Sequence, residues 1–245
     1  MKKLLLIPVL MTTVSLGACV TNDEWMNAAQ SVLNGTSSYG TSANALSASQ
    51  ISDGLKEALR VGTDIVVTRL GKQGGFNADN AIRIPLPPAL ANVHNTLDKI
   101  GIGGMTADLE NRMNDAAERA VPHAKDLFIA AIQQMTIADA RSILSGRQDA
   151  ATQYLRKTMG PELAKKVQPI VNDTLAQTGA IQLYDRVTGQ YAAMPFVQNI
   201  KTDMNAYVTD KALDGVFYYV AQEEAAIRQN PAKRTTEILR MVFGN

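Results

Sequence analysis

Apolar residues recur at helical spacing along most of the chain. Ile51, Leu55, Ala58, Leu59, Ile65 and Val66 share one face behind Ser47-Ala48-Ser49-Gln50, which has the form of a capping box, and Gly71 supplies the stop. The period is then lost over residues 72–88. Gly74-Gly75 and Asn77-Ala78-Asp79-Asn80 mark turns, and Pro85, Pro87 and Pro88 force Ile82-Arg83-Ile84 into extended backbone, either an edge strand or a polyproline-like strap over helices. A helix over 90–100 closes at Gly101. Thr106 caps a long helical region with Leu109, Met113, Ala116, Ala117 and Ala120 on one face. Pro122 either kinks that helix or begins the next, in which Ala124, Leu127, Phe128, Ala131, Ile132 and Met135 continue the stripe. Further helices are predicted from Thr136 to Gly146, over 149–159, over 161–178 with a bend at Pro169, and over 180–193 before Pro195. Thr209 caps another that runs to about Gln229, and Asn230-Pro231 opens a last one to Val242. About eight to ten helices joined by short loops, with no internal repeat, predict a single all-α domain over 47–245 carrying one irregular Pro-rich strap.

Composition agrees. Aromatic residues make up only 5% of the chain and alanine is abundant, which suits closely packed helices better than a β-branched sheet. The one cysteine, Cys19, leaves no possibility of an internal disulfide, so an apolar core must hold the roughly 200 residues of the domain.

The segment before the domain reads differently. Met1-Lys2-Lys3, an apolar run from Leu4 to Val14 and Ser15-Leu16-Gly17-Ala18 have the charge, core and small residues of a secretory signal peptide over 1–18. Leu16-Gly17-Ala18-Cys19 resembles the lipobox of bacterial lipoproteins. That resemblance implies cleavage before Cys19, diacylation of its thiol and acylation of the new amino end. One acyl chain holds a protein only marginally and stable anchoring takes a second signal, a threshold three chains exceed. The apolar run itself is too short for the roughly 20 residues that span a bilayer. Val20, where enteric-type inner-membrane lipoproteins carry Asp, points to the outer membrane, facing the periplasm. Residues 19–46 form a tether. Within it, residues 22–34 carry Trp25, Met26, Ala29, Val32 and Leu33 on one helical face, either a membrane-surface helix or a weak one that frays or docks. The Gly- and Ser-rich run that follows has a reach of about 20 Å.

Removing Lys2 and Lys3 leaves 22 basic against 23 acidic residues, a net charge of −1, and no adjacent basic pair of the mature chain extends into a run. A nucleic-acid partner, which needs a clustered basic face, is therefore not expected. Metal chemistry is not expected either. His94 and His123 are the only histidines, and His123-x-x-Asp126 lacks the third protein ligand of a catalytic site. No nucleophile elbow and no phosphate-binding glycine loop is present, and no cofactor is implied. The one candidate polar cleft comprises Glu110, Asn114 and Glu118, at i, i+4 and i+8 beside the apolar stripe, with Arg83 of the strap as counter-charge. Such a set fits a carboxylate-based hydrolase or a plain solvated face helped by an Asp115–Arg119 pair. Glu224–Arg228 reads as an ordinary i, i+4 ion pair, and Phe217-Tyr218-Tyr219 as core with one tyrosine edge wet.

Several phrases carry a resemblance to a family. They are Ala81-Ile82-Arg83-Ile84-Pro85-Leu86-Pro87, Met113-Asn114-Asp115-Ala116-Ala117-Glu118, Ala150-Ala151-Thr152-Gln153-Tyr154-Leu155-Arg156, Tyr207-Val208-Thr209-Asp210-Lys211-Ala212-Leu213-Asp214-Gly215 and Glu223-Glu224-Ala225-Ala226-Ile227-Arg228. Over residues 46–244 the chain resembles the bacterial domain-of-unknown-function family numbered four-one-nine-seven. The resemblance implies a helical envelope domain and carries over no catalytic residue, substrate or cofactor. The expectation is a membrane-anchored lipoprotein with a non-enzymatic binding or scaffolding role toward an envelope protein. The alternatives are a carrier of an apolar ligand or lipid, with Met105, Met113 and Met135 lining its pocket, and a carboxylate-based hydrolase.

Overall fold

The computed structural model describes residues 46–99, 103–136, 138, 140–191 and 203–244. The signal segment, Cys19, the tether with its 22–34 helix, the Gly101 stop and Pro195 lie outside the described residues. Eight α-helices occur among the described residues: α1 (Ala48–Leu70), α2 (Pro88–Lys99), α3 (Gly104–Gln134), α4 (Ala140–Ser145), α5 (Ala150–Gln177), α6 (Ala180–Tyr191), α7 (Met204–Gln229) and α8 (Glu237–Phe243). A 3-10 turn, Pro231–Lys233, precedes α8, and no strand occurs among the described residues.

The four long helices close a ring. α1 packs on α3, α3 on α5, α5 on α7 and α7 back on α1, so the architecture is a four-helix bundle with short helices on its flanks. α2 lies on α3, α4 bridges α1 and α5, α6 bridges α3 and α5, and α8 lies on α1. The stripes read from the sequence form one continuous core. Leu55 and Leu59 of α1, Leu109, Met113 and Phe128 of α3, Leu155 and Val171 of α5, and Val216 and Ile227 of α7 are all buried in it. Alanines 116, 117, 120 and 124 of α3 are buried too, and their small side chains let neighbouring helices approach closely. Ile65, expected in this stripe, is instead exposed.

Helix starts follow local chemistry where that chemistry is strong. The Ser47 capping box is formed in both directions: Gln50 N donates to Ser47 Oγ at 3.1 Å, and Ser47 N donates to Gln50 Oε1 at 2.9 Å. Gly71 caps the C-terminus of α1, and it must be glycine because the Pro122 ring of α3 sits where a Cβ would be, 2.5 Å from Pro122 Cγ. Gly54 is tight in the same way. Its missing Cβ would lie 2.5 Å from Val242 Cγ2, so α8 rests its Val242 directly on the α1 backbone.

Several boundaries differ from those the pattern predicts. α3 continues through Pro122, and α5 is one helix through Gly160, Pro161 and Pro169, where the sequence predicts a break and a bend. Both α5 prolines face solvent, and the carbonyls they free belong to the exposed Lys157 and Lys165, where water can replace the lost bonds. Burial of Leu155, Leu163, Val167 and Val171 along the other face outweighs the loss. α7 begins at Met204, because Asp203 Oδ1 accepts from Ala206 N at 3.0 Å. Thr209 is inside the helix, buried, its hydroxyl donating to Asn205 O at 2.7 Å. α4 begins at Ala140 rather than Thr136. Asn230 caps only the 3-10 turn, and α8 starts later, at Glu237.

Candidate functional site

The strap, residues 71–87, is extended over its last part with Ile82, Ile84 and Leu86 buried and Arg83 and Pro85 outward, the alternation of a strand with no neighbouring strand among the described residues. Its backbone groups need partners, and α3 supplies them from side chains. Glu118 accepts three backbone N–H groups: Phe76 at 3.0 Å and Asn77 at 2.9 Å on Oε1, and Gly74 at 3.0 Å on Oε2. Asn114 acts as a strand edge would, its Oδ1 accepting from Ile84 N at 2.8 Å and its Nδ2 donating to Ile84 O at 2.8 Å. Glu110 accepts from Arg83 Nε at 2.8 Å and, more weakly, from Leu86 N at 3.4 Å. Arg83 also donates to Asn77 O, Asn77 Oδ1 and Asn111 Oδ1.

A second set holds the strap from the other side. Tyr207 of α7 donates to Pro85 O at 3.1 Å, and Tyr219 donates to Asp79 Oδ2 at 2.6 Å. Arg69 of α1 pairs with Asp79 at 3.1 Å and lies 3.9 Å over the Tyr219 ring. The Tyr219 hydroxyl lowers the Asp79 carboxyl below the usual range, against the opposing effect of burial. Burial first, and then the bond to Asp79, raises Tyr219; burial and the charge of Glu110 raise Tyr207. Phe76 is wholly buried against Gly215 of α7, where an added Cβ would lie 3.0 Å from Phe76 Cε1.

The structure therefore brings all four residues of the predicted cleft together at the strap, but as a clasp. Asn114 is wholly buried and Glu118 is only 5% exposed, so the solvated-face reading does not hold for them. Asp115 is turned toward the strap as well, taking Asn77 Nδ2 at 2.6 Å. A recess of about 270 Å³ beside Glu118 is lined by Gly71, Gln73, Asp115 and Arg119, and both Glu118 oxygens are already engaged by backbone donors.

A second buried carboxylate, read from the sequence as half of an ordinary i, i+4 ion pair, joins three helices. Glu224 of α7 is fully buried and accepts from Ala151 N at 3.0 Å, Thr152 N at 2.7 Å and Thr152 Oγ1 at 2.6 Å. It thereby caps the N-terminus of α5, whose own N-cap Asp149 makes no side-chain cap bond. Arg228 pairs with Glu224 at 2.8 Å and donates to the carbonyls of Leu144 and Ile143, the last turn of α4. One ion pair thus complements two opposite helix ends. Its signal was present: Glu224 falls in the stripe of Val216, Val220 and Ile227 at helical spacing.

Between the strap, the α4–α5 junction and α7 lies an open groove of about 960 Å³. Ile82, Arg83 and Pro85 form one wall, Arg147, Asp149 and Arg156 another, and Lys211, Asp214 and Tyr218 a third. The two holding devices stand behind these walls: the clasp behind the strap and the Glu224 junction behind the start of α5. Of the predicted cleft residues only Arg83 borders the groove. Arg156 pairs with Asp214, and Arg147 with Asp149 at 3.1 Å, which lowers the Asp149 carboxyl. Of the aromatic trio, Phe217 and Tyr219 are core and Tyr218 is exposed at the groove. Met113 and Met135 are buried in the core and Met105 packs against it, so these methionines fill helix interfaces. His123 and Asp126 are both exposed, and among the described residues no three metal-ligating side chains cluster. Among the described residues no helix is long and apolar enough to cross a membrane.

Fold and site define a helical-bundle domain with a side-chain-clasped strap beside an open groove of mixed polar and apolar lining. The chain belongs to the family described as protein of unknown function (DUF4197), whose model matches residues 45–244. No curated protein and no solved structure matches the chain.

Proposed function

We propose that the protein is a lipoprotein of the bacterial envelope, held on the membrane through acylated Cys19 and facing the periplasm from the outer membrane, whose helical domain binds a partner protein in the groove. The groove carries the reading. It is about 960 Å³, at the upper end of ligand-site volumes, and its strap wall is fixed by the clasp before any partner arrives. It is open rather than enclosed, and its walls mix guanidinium and amide groups with apolar and aromatic surface, which suits a protein segment better than the closed apolar cavity a lipid carrier needs. A hydrolase finds less support, because Glu110 and Glu118 are engaged in holding backbone and Arg83.

Two measurements test this. Cys19→Ala in the full chain abolishes palmitate labelling and moves the protein out of the membrane fraction; retention of both overturns the anchor. A photo-crosslinking side chain at Tyr218 yields discrete envelope adducts that the same group at Ile65, an exposed position on α1, does not. Identical adduct patterns from the two positions overturn the groove as the binding surface.

A further inference from the structure

We infer that the groove receives an acidic, extended segment of its partner; this rests on the reading of the groove as a binding surface. Four cations line it, Arg83, Arg147, Arg156 and Lys211, against two carboxylates, Asp149 and Asp214, and Glu110 behind the strap pairs with Arg83, which leaves a net of +1. The domain from residue 46 to 245 carries 22 basic and 21 acidic residues, a net of +1. The groove therefore carries the domain's whole net positive charge, and the rest of the domain sums to zero. Cations on three walls favour a negatively charged ligand in the groove.

The cations stand on three elements, the strap, the start of α5 and α7, so they surround the groove rather than converge on a point as a small-anion site would. Arg147 is the freest, with 84% of its side chain exposed, and its partner Asp149 also accepts from Gln153 Nε2 at 3.1 Å. It can leave Asp149 for an incoming carboxylate without stranding it. Gln148, Gln153 and Gln222 add groups that both donate and accept, the complement of a peptide backbone. Tyr218, one of three large apolar side chains exposed among the described residues, and Pro85 offer a surface for an apolar residue between the acids. Charge, amides and aromatic together fit a chain of alternating acidic and aromatic residues.

The test uses the full chain in neutral phosphatidylcholine proteoliposomes and a fluorescent decapeptide of alternating Glu and Tyr, with Gln-Tyr and Lys-Tyr peptides as matched controls. The Glu peptide co-sediments with the protein, the Gln peptide binds about tenfold more weakly and the Lys peptide is not retained, and the preference fades as salt rises. Arg147→Glu with Lys211→Glu, both at exposed side chains, weakens the Glu peptide about tenfold and leaves the Gln peptide unchanged; Arg147→Gln with Lys211→Gln gives the same direction with less effect on the neighbouring carboxylates. Arg186→Glu, on α6 away from the groove, changes nothing. Equal binding of the Glu and Gln peptides, or a preference untouched by both double variants, overturns the acidic assignment. If Ala221→Trp then blocks both peptides equally, the groove reading survives it. Displacement of the peptide by millimolar glycerol 3-phosphate assigns the rim to phosphate headgroups and overturns it too. Absence of binding by any peptide overturns the inference, while the crosslinking comparison of Tyr218 with Ile65 decides the groove separately.

Discussion

Glu118→Gln isolates the clasp. The carboxylate accepts two strap N–H groups on Oε1 and one on Oε2, and the side chain is nearly buried. The amide keeps an acceptor for the Phe76 and Asn77 donors, but its NH2 then faces Gly74 N–H, donor against donor. A buried donor left unmet costs about 1–3 kcal/mol, and the two retained bonds lose their charge assistance. Cheaper burial of a neutral amide offsets part of this. The net expectation is a loss of about 2 kcal/mol for Gln and about 4 kcal/mol for Ala, which strands all three donors. In a domain of this size 2 kcal/mol lowers the melting temperature by about 4–8 °C. Urea unfolding gives the magnitude, and amide exchange at Gly74, Phe76 and Asn77 gives the location. A Glu118→Gln protein within about 0.5 kcal/mol of the parent, with those amides equally protected, would refute the account of how the strap is held.

Other outcomes follow from the same geometry. Arg228→Met leaves Glu224 buried beside only its α5 donors and lowers stability by about 3–5 kcal/mol, whereas Arg228→Met with Glu224→Gln recovers part of the loss; a double-mutant cycle by urea unfolding measures the coupling. Tyr219→Phe destabilises by about 1–2 kcal/mol at neutral pH. Asp79 has a lowered carboxyl in the fold, so its contribution is present above the ordinary carboxylate range and is lost as pH falls through its folded value; Tyr219 is raised, so its contribution is lost as pH rises past the ordinary tyrosine range. The gap between parent and Tyr219→Phe therefore closes at both pH extremes, and a constant gap in pH-dependent unfolding would contradict the assignment. Gly54→Ala destabilises despite the higher helix propensity of alanine, because Val242 occupies the Cβ position, and Val242→Ala rescues it. Gly160→Ala, with only Arg156 Cγ at 3.9 Å, stabilises α5 by about 0.5–1 kcal/mol, read by thermal melting.

Side chains of a helix here do the work of a missing strand. Asn114 pairs with Ile84 through both its donor and its acceptor, as a neighbouring backbone would, so an isolated extended segment is tolerated over a helical bundle. The consequence reaches the groove, since the same strap forms one of its walls. Mutations in α3, none of whose residues lines the groove, should then change binding through strap position.

The sequence by itself determined the all-helical class, the α1 boundaries from Ser47 and Gly71, the apolar stripe of α3 and the extended backbone of Ile82-Arg83-Ile84 before the prolines, while the inward turn of Ile82 and Ile84 came from the fold. The former are local matters of period, cap and φ restriction, encoded within a few residues. Tertiary structure alone decided that α5 runs unbroken through two prolines, because packing of its far face outweighs two backbone bonds that water can replace. It alone decided the fate of Asn114, Glu118 and Glu224. Their spacing was legible, but whether a polar side chain beside an apolar stripe is solvated or buried depends on donors brought in from elsewhere. Those donors lie 30 residues away for Asn114, 44 for the Gly74–Glu118 bond and 73 for Ala151–Glu224. They are backbone N–H groups, which every residue but proline carries, so no side-chain pattern announces them until the fold sets them in place.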